Sequence, residues 1–199
     1  MSGAARLPLD RARRLAWEVV VLLQDQCERI EVAGSIRRAK PDVGDVEIVC
    51  VPKISETATG LFGDILDRRD ELHARCQSLV EDGVFAHRLA SNGQHAFGER
   101  LKRLTYGRVA LDLFCVLPPA QWGLILAIRT GPAEFSRRLV TPRRMGGLLP
   151  DWLKVHDGAI WHGVDPVPTP EEADVFRVLG LPYIPPADRT GNERAAVPA

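Results

Sequence analysis

At 199 residues and 45% apolar content, the chain has material for one ordinary hydrophobic core, or one α/β domain with a small appendage, and should fold without staples. Lys and Arg number 26, as do Asp and Glu, which excludes a uniformly basic nucleic-acid coat and leaves any phosphate binding to a local face. No stretch reaches the roughly eighteen apolar residues of a membrane span, and Glu18 interrupts the apolar run after Arg11, Arg13 and Arg14 with no small-residue cleavage site following, so neither membrane insertion nor export is expected.

A helix is expected from Asp10 to Cys27, where Asp10 can cap and Leu15, Val19, Leu22, Leu23 and Cys27 recur at helical spacing. Arg29 to Ala33 reads as a short strand, Gly34-Ser35-Ile36-Arg37-Arg38 as a turn opening a helical stub, and Pro41 to Gly44 as a loop before the strand that carries Asp45 and Glu47. Next come a loop over Ile54 to Gly63 and a charged helix over Asp64 to Asp82, with Leu66, His73, Cys76 and Val80 as a thin apolar stripe. Three short strands follow, Phe85 to Leu89, Leu101 to Tyr106 and Val109 to Val116, the last two joined as a hairpin at Gly107. Pro118-Pro119 ends the sheet and marks a domain boundary. Helices over Ala120 to Thr130 and Ala133 to Thr141 are punctuated by Gly131-Pro132 and stopped by Pro142. The remainder reads as a hairpin (Leu153 to Val155, Ala159 to Trp161), a helix starting near Pro170 with Glu171 and Glu172 in its first turn, and a chain frayed from Ala187.

The four cysteines, Cys27, Cys50, Cys76 and Cys115, form no CxxC and have no histidine at zinc-ligand spacing, which points to reduced thiols in an intracellular, cytoplasmic protein. The five histidines are scattered, and the four tryptophans read as packing residues rather than base-stacking platforms. Positive charge rests on 22 Arg against 4 Lys, and Arg129, Arg137, Arg138, Arg143 and Arg144 crowd one stretch where guanidinium forks would suit phosphates.

The chemistry centres on three carboxylates. The strand repeat of two places Asp45 and Glu47 on one face, and Asp112 interrupts the apolar run Val109 to Val116, where an unneutralised charge would be costly. Nucleotidyl transfer asks for charge neutralisation on a triphosphate and a hydroxyl held in line, which two divalent cations on three carboxylates supply. A Gly34-Ser35 turn offers backbone amides and a hydroxyl to phosphate oxygens, and Arg38 would offset their charge. Singly, an Asp-x-Glu pair or a Gly-Ser turn is commonplace; their order and spacing together carry the reading.

Gly34-Ser35-Ile36-Arg37-Arg38 followed by Gly44-Asp45-Val46-Glu47 resembles the palm signature of the family X DNA polymerases, the polymerase beta group of the nucleotidyltransferase superfamily. The resemblance continues through Asp112, Trp122-Gly123, Thr130-Gly131, Asp174-Val175-Phe176-Arg177 and Leu179 to Pro186, so that it covers roughly Arg11 to Arg189. It implies an α+β fold: a nucleotidyltransferase palm with a mixed sheet and flanking helices over residues 1–118, a small α+β thumb over 119–189, and a flexible tail over 190–199. In the family's roles Asp45, Glu47 and Asp112 are catalytic and hold two Mg²⁺ ions, with Mn²⁺ as an alternative. Gly34, Ser35, Arg38, Thr130 and Gly131 bind the nucleotide, and Arg137 and Arg138 face DNA. The implied substrates are a nucleoside triphosphate and primer-template or gapped DNA, used by a monomer with room for an accessory DNA-repair protein.

Departures from the pattern qualify what is implied. Asp-x-Glu replaces the usual Asp-x-Asp and reaches one methylene further, which bears on metal preference. Ile128 and Arg129 stand where aromatic residues commonly precede the Thr-Gly turn, which opens the question of ribonucleotide use. A cis peptide is expected at Gly131-Pro132. Neither an amino-terminal lyase domain nor a helix-hairpin-helix grip fits, so a minimal palm-thumb enzyme without lyase activity is expected. Two other readings stay open: a nucleotidyltransferase with an RNA, small-molecule or protein acceptor, and an inactive DNA-binding relative.

Overall fold

The computed structural model describes residues 6–58, 65–89, 93 and 95–192. Strand β1 (Leu7–Pro8) runs directly into helix α1 (Leu9–Leu23), which buries Ala12, Ala16, Val19, Val20 and Leu23. The helix stops four residues before the expected Cys27. Polar Gln24-Asp25-Gln26 forms a 3₁₀ turn instead, and Lys53 captures its carbonyls, Nζ to Asp25 and the backbone N–H to Gln26, drawing Cys27 into the sheet. Strand β2 (Cys27–Val32), the one-turn helix α2 (Gly34–Arg37), β3 (Asp42–Val43) and β4 (Asp45–Pro52) follow, with β3 pairing β1 where only a loop was expected.

The next segment corrects the sequence reading. Instead of a loop over Ile54 to Gly63 and a helix from Asp64, β5 (Ile54–Ala58) and β6 (Ile65–Asp70) form an antiparallel hairpin, and helix α3 (Glu71–Glu81) begins only after it. Residues 59–64, and the Leu66 side chain of the expected apolar stripe, lie outside the described residues. Glu56 opposes Arg68, a cross-strand charge pairing that a helical reading of this charged run does not detect. Asp70 fixes the helix start by accepting the His73 N–H at 2.8 Å. The face α3 buries is Leu72, Cys76 and Leu79.

Strands β7 (Phe85–His87), β8 (Leu101–Tyr106) and β9 (Val109–Cys115) complete a five-stranded sheet of order β2-β4-β9-β8-β7. Only β4 and β9 are parallel, so the sheet is mixed, as the α+β reading requires. Alternation sends Val46, Ile48 and Cys50 of β4 and Leu111, Leu113 and Cys115 of β9 into the core shared with α1 and α3. Val49 and Phe114 point to the other face, against Trp122 and Leu126 of helix α4 (Trp122–Thr130). Asp45, Glu47 and Asp112 belong by the same alternation to the α4 side.

Helix α5 (Ala133–Val140), the antiparallel sheet β10 (Leu153–His156), β11 (Ala159–His162) and β12 (Asp165–Val167), and helix α6 (Glu172–Val178) enclose a second core around Leu124, Phe135, Leu149, Ile160 and Phe176. Strand β12 is an addition to the expected hairpin. Helix α6 starts at a capping box in which Glu171 and Asp174 exchange backbone hydrogen bonds. The peptide between Gly131 and Pro132 is trans; among the described residues the cis bond is Pro118-Pro119. With both residues extended, the Gly131 N–H closes α4 on the Ala127 carbonyl while the Pro132 carbonyl accepts the Ser136 N–H that opens α5. The expected fraying from Ala187 is corrected for its first residues, since Pro186–Asp188 forms a 3₁₀ turn and Arg189 is 1% exposed, while residues 193–199 lie outside the described residues. Of the tryptophans expected to pack, Trp17 and Trp152 are largely exposed and Trp122 is buried.

Candidate active site

The parallel register of β4 and β9 pairs Glu47 directly with Asp112, and Asp45 stands two residues earlier on the same face, opposite Ala110. All three carboxylates therefore meet at one end of two adjacent strands. Glu47 lies over Gly34; a Cβ at that glycine would stand 2.0 Å from Glu47 Oε2, and the backbone there has φ +62. Both constraints select glycine at that position. Burial is the leading cause that lifts the Glu47 carboxyl to about 7, with Asp45 adding its repulsion against the opposing pull of Arg129. Asp45 is raised too, first by burial and then by Asp112.

Asp112, 7% exposed, is not a bare charge in the apolar strand. Arg88 donates to its Oδ1, and Arg103, its direct partner across the β8–β9 ladder, places Nε 3.8 Å from Oδ2. Neither arginine figured in the sequence reading. Arg103 was findable, because a Gly107-Arg108 turn pairing Tyr106 with Val109 counts back to Arg103 opposite Asp112. Arg88 comes from beyond the adjacent hairpin and had no such signal.

The turn after β2 lines a cavity of about 460 Å³ with Arg6, Ser35, Arg38, Lys40 and Asp45. Among the described residues nothing hydrogen-bonds the buried Ser35 Oγ or Arg38 Nε. Unpaired polar atoms beside two carboxylates suit a polar ligand that brings its own acceptors. The rest of the Arg38 guanidinium is engaged, since Nη1 donates to the carbonyls of Thr130 at 2.5 Å and Gly131 at 3.0 Å. Expected nucleotide contacts Gly34, Ser35, Arg38, Thr130 and Gly131 thus converge, with Arg38 tied to the Thr-Gly turn. Thr130 is held further by Arg37, whose Nη1 donates to its Oγ1 at 2.9 Å.

Arg137 and Arg138 are elsewhere on α5. Arg137 is exposed and paired with Glu134, while Arg138 donates to the carbonyls of Gly146 and Gly191. The basic stretch divides in this way: Arg143 also serves backbone, at Leu148 and Leu179, and Arg129 stacks its guanidinium 3.9 Å from the Phe114 ring centroid.

The donor chemistry of Asp45, Glu47 and Asp112 fits hard divalent cations, which take carboxylate oxygens. Among the described residues no group of three His, Cys, Asp or Glu side chains stands ready to hold a metal ion, and Asp112 is engaged by Arg88. Raised carboxyls at Asp45 and Glu47 mark a place where added positive charge would be favourable.

A family model, DNA polymerase beta thumb, matches residues 125–190, from within α4 to just past Arg189. DNA polymerase lambda of Rattus norvegicus is 29% identical over 177 residues, covering 78% of this chain. The chain resembles the family X DNA polymerases, and its thumb is of the polymerase beta type. It spans 28% of the length of that polymerase lambda. The α+β class with a beta-type thumb stands as expected.

Proposed function

We propose that this family X-like chain transfers a nucleotide from a (deoxy)nucleoside triphosphate to the 3′-hydroxyl of a DNA primer, in template-directed gap filling. The observation that carries the reading is the in-register pairing of Glu47 with Asp112, with Asp45 on the same face beside the cavity holding Ser35. Residues 1–118 act as palm, 119–189 as thumb, and 190–199 as a tail. Asp45, Glu47 and Asp112 would hold the divalent cations, for which Mg²⁺ is the proposed ion. When bound, such ions acidify an attacking hydroxyl and neutralise phosphate charge. Ser35 and the backbone of Gly34 receive the triphosphate, and Thr130 and Gly131 border its sugar. Arg37 and Arg38 hold that border in place against the palm. Arg88 and Arg103 neutralise Asp112, and a cation held there would take over part of that neutralisation. Arg137 and Arg138 face the DNA.

The test is primer extension with and without a gapped template, each deoxynucleotide or ribonucleotide, and Mg²⁺ or Mn²⁺, beside an Asp45→Ala control. Template-directed addition that the control loses is the expected result. Addition without a template would make the chain a terminal transferase. No addition to DNA under any condition would reject the primer reading and move the search to another acceptor.

A further inference from the structure

Outside the carboxylate site, the most unusual chemistry lies on the opposite face of the same two strands. Cys50 of β4 and Cys115 of β9 are Cα partners in the parallel ladder, three residues beyond Glu47 and Asp112 respectively. Their Sγ atoms are 3.8 Å apart, and both residues are buried. Adjacent strands lie about 4.8 Å apart, inside the Cα separation that a disulfide accepts. Lys102 enters the same spot from β8. Its side chain is fully enclosed, and Nζ meets the carbonyls of Gly98 at 3.1 Å and Glu99 at 3.4 Å and Cys115 Sγ at 3.7 Å. No carboxylate pairs with it among the described residues, so Cys115 is the contact that can become an anion.

We propose that Cys50 and Cys115 form an oxidant-responsive pair, in which Cys115 is oxidised by a hydroperoxide and Cys50 resolves it to a disulfide. The Cys115 thiolate attacks one oxygen of the peroxide; the O–O bond breaks, Cys115 becomes a sulfenic acid, and hydroxide leaves. Cys50 sulfur then attacks Cys115 sulfur, the S–O bond breaks, and the departing hydroxide takes the Cys50 proton as water. The two cysteines together lose two electrons, which the peroxide accepts. The surroundings assign these roles. Cys115 is shifted down, led by its hydrogen bond with Cys50, with Lys102 also lowering it against the effects of burial and Asp70. Cys50 is shifted strongly up by its bonds with Cys115 and Cys27 and keeps its proton for the second step. Cys76 is pushed up to about 12 by burial. Cys115 keeps 6% of its surface exposed, whereas Cys50 and Lys102 are fully enclosed, so a small oxidant meets Cys115 first.

The test treats the purified full chain with hydrogen peroxide, quenches it with an alkylating agent in denaturant, and reads intact mass and peptide map. Expected are a mass decrease of two hydrogens, a Cys50–Cys115 crosslinked peptide, and reversal by dithiothreitol. Lys102→Met, an apolar near-isostere that spares the fold a buried charge, slows the reaction by about tenfold or more. Cys50→Ala halts it at a Cys115 sulfenate that dimedone traps. An unchanged mass, a bridge through Cys27 or Cys76, or added oxygen on Cys115 with Cys50 still alkylatable would each overturn the proposal; these readouts come from the unsubstituted chain and do not depend on a variant folding.

Discussion

Glu47 shows how a single residue ties the sheet to the chemistry. Its burial over Gly34 and its neighbour Asp45 lift the carboxyl from 4.5 to about 7. The folded state therefore binds this proton more tightly than the unfolded chain does. The associated stability is complete below about 4.5, declines as pH rises towards about 7, and stays low above that. Urea unfolding with a chelator present, run at pH values on both sides of that window, should show the decline in the parent chain. Glu47→Gln should flatten it; an undiminished slope in the variant would assign the effect to another group. The position of Glu47 was legible, because strand alternation alone puts it on the face of Asp45. The placement of Arg38 on the Thr130 and Gly131 carbonyls was not, since residues 92 and 93 positions apart meet only after the chain has folded.

Among the elements, α4 and the approach to α6 pack too closely for any side chain at Gly123. A Cβ there would sit 2.2 Å from the Glu171 carbonyl oxygen and 2.6 Å from that of Thr169, whose carbonyl also accepts the Gly123 N–H at 2.9 Å. Backbone on both sides cannot yield as a flexible side chain would. Gly123→Ala should cost about 1–3 kcal/mol in denaturant unfolding, and more if the helix shifts as a body. A variant as stable as the parent would show that the segment before α6 adjusts freely. Gly123 was visible in the sequence as part of the Trp122-Gly123 match to the family pattern, but its packing role needed the partner backbone. The β5–β6 hairpin was missed for a related reason: Leu66 fell in register with the helical stripe of His73, Cys76 and Val80, no two-residue apolar period competed with it, and cross-strand pairs such as Glu56 with Arg68 emerge only once the register is set. The Leu101–Tyr106 and Val109–Cys115 hairpin, with its apolar faces and Gly107 turn, was readable almost to the residue.

Across the whole molecule, Glu172 joins the two cores. At 5% exposure it accepts from Arg37 of α2 at 2.8 Å, from Arg189 at 2.7 Å and from the Tyr183 hydroxyl at 3.0 Å. Beside it Glu171 holds Arg29 in a two-bond fork at 2.7 and 2.6 Å, with Arg29 stacked 4.2 Å over Trp122. Burial works to raise the Glu172 carboxyl, but the hydrogen bonds of Arg189 and Arg37 prevail and hold it below its usual range. Its contribution is therefore present above the unfolded value and is lost as pH falls through the lowered folded one. Glu172→Ala leaves the buried Arg189 and the half-buried Arg37 short of their anion and should cost about 3–5 kcal/mol in urea unfolding near neutral pH, while reducing the acid sensitivity of what remains. A loss well under that range would mean that Arg37 is satisfied by Glu31, 2.9 Å from its Nε.

Local physics was enough for the sequence by itself to determine the strand face shared by Asp45 and Glu47, the cost of Asp112 in an apolar strand, and the helix boundaries at Gly131-Pro132 and Pro142, while the α+β class came from the family resemblance. Alternation, turn chemistry and burial cost act over a few residues and need no knowledge of the fold. Tertiary structure alone decided which charges meet: Arg88 on Asp112, Arg38 on the Thr-Gly turn, Arg37 and Arg189 on Glu172, and Lys102 on Cys115. With 22 arginines in the chain, composition permits many pairings. Only the packing of β4 against β9 and of α4 against α6 brings one set within hydrogen-bond reach while burying it, and burial is what gives these pairs their energetic weight.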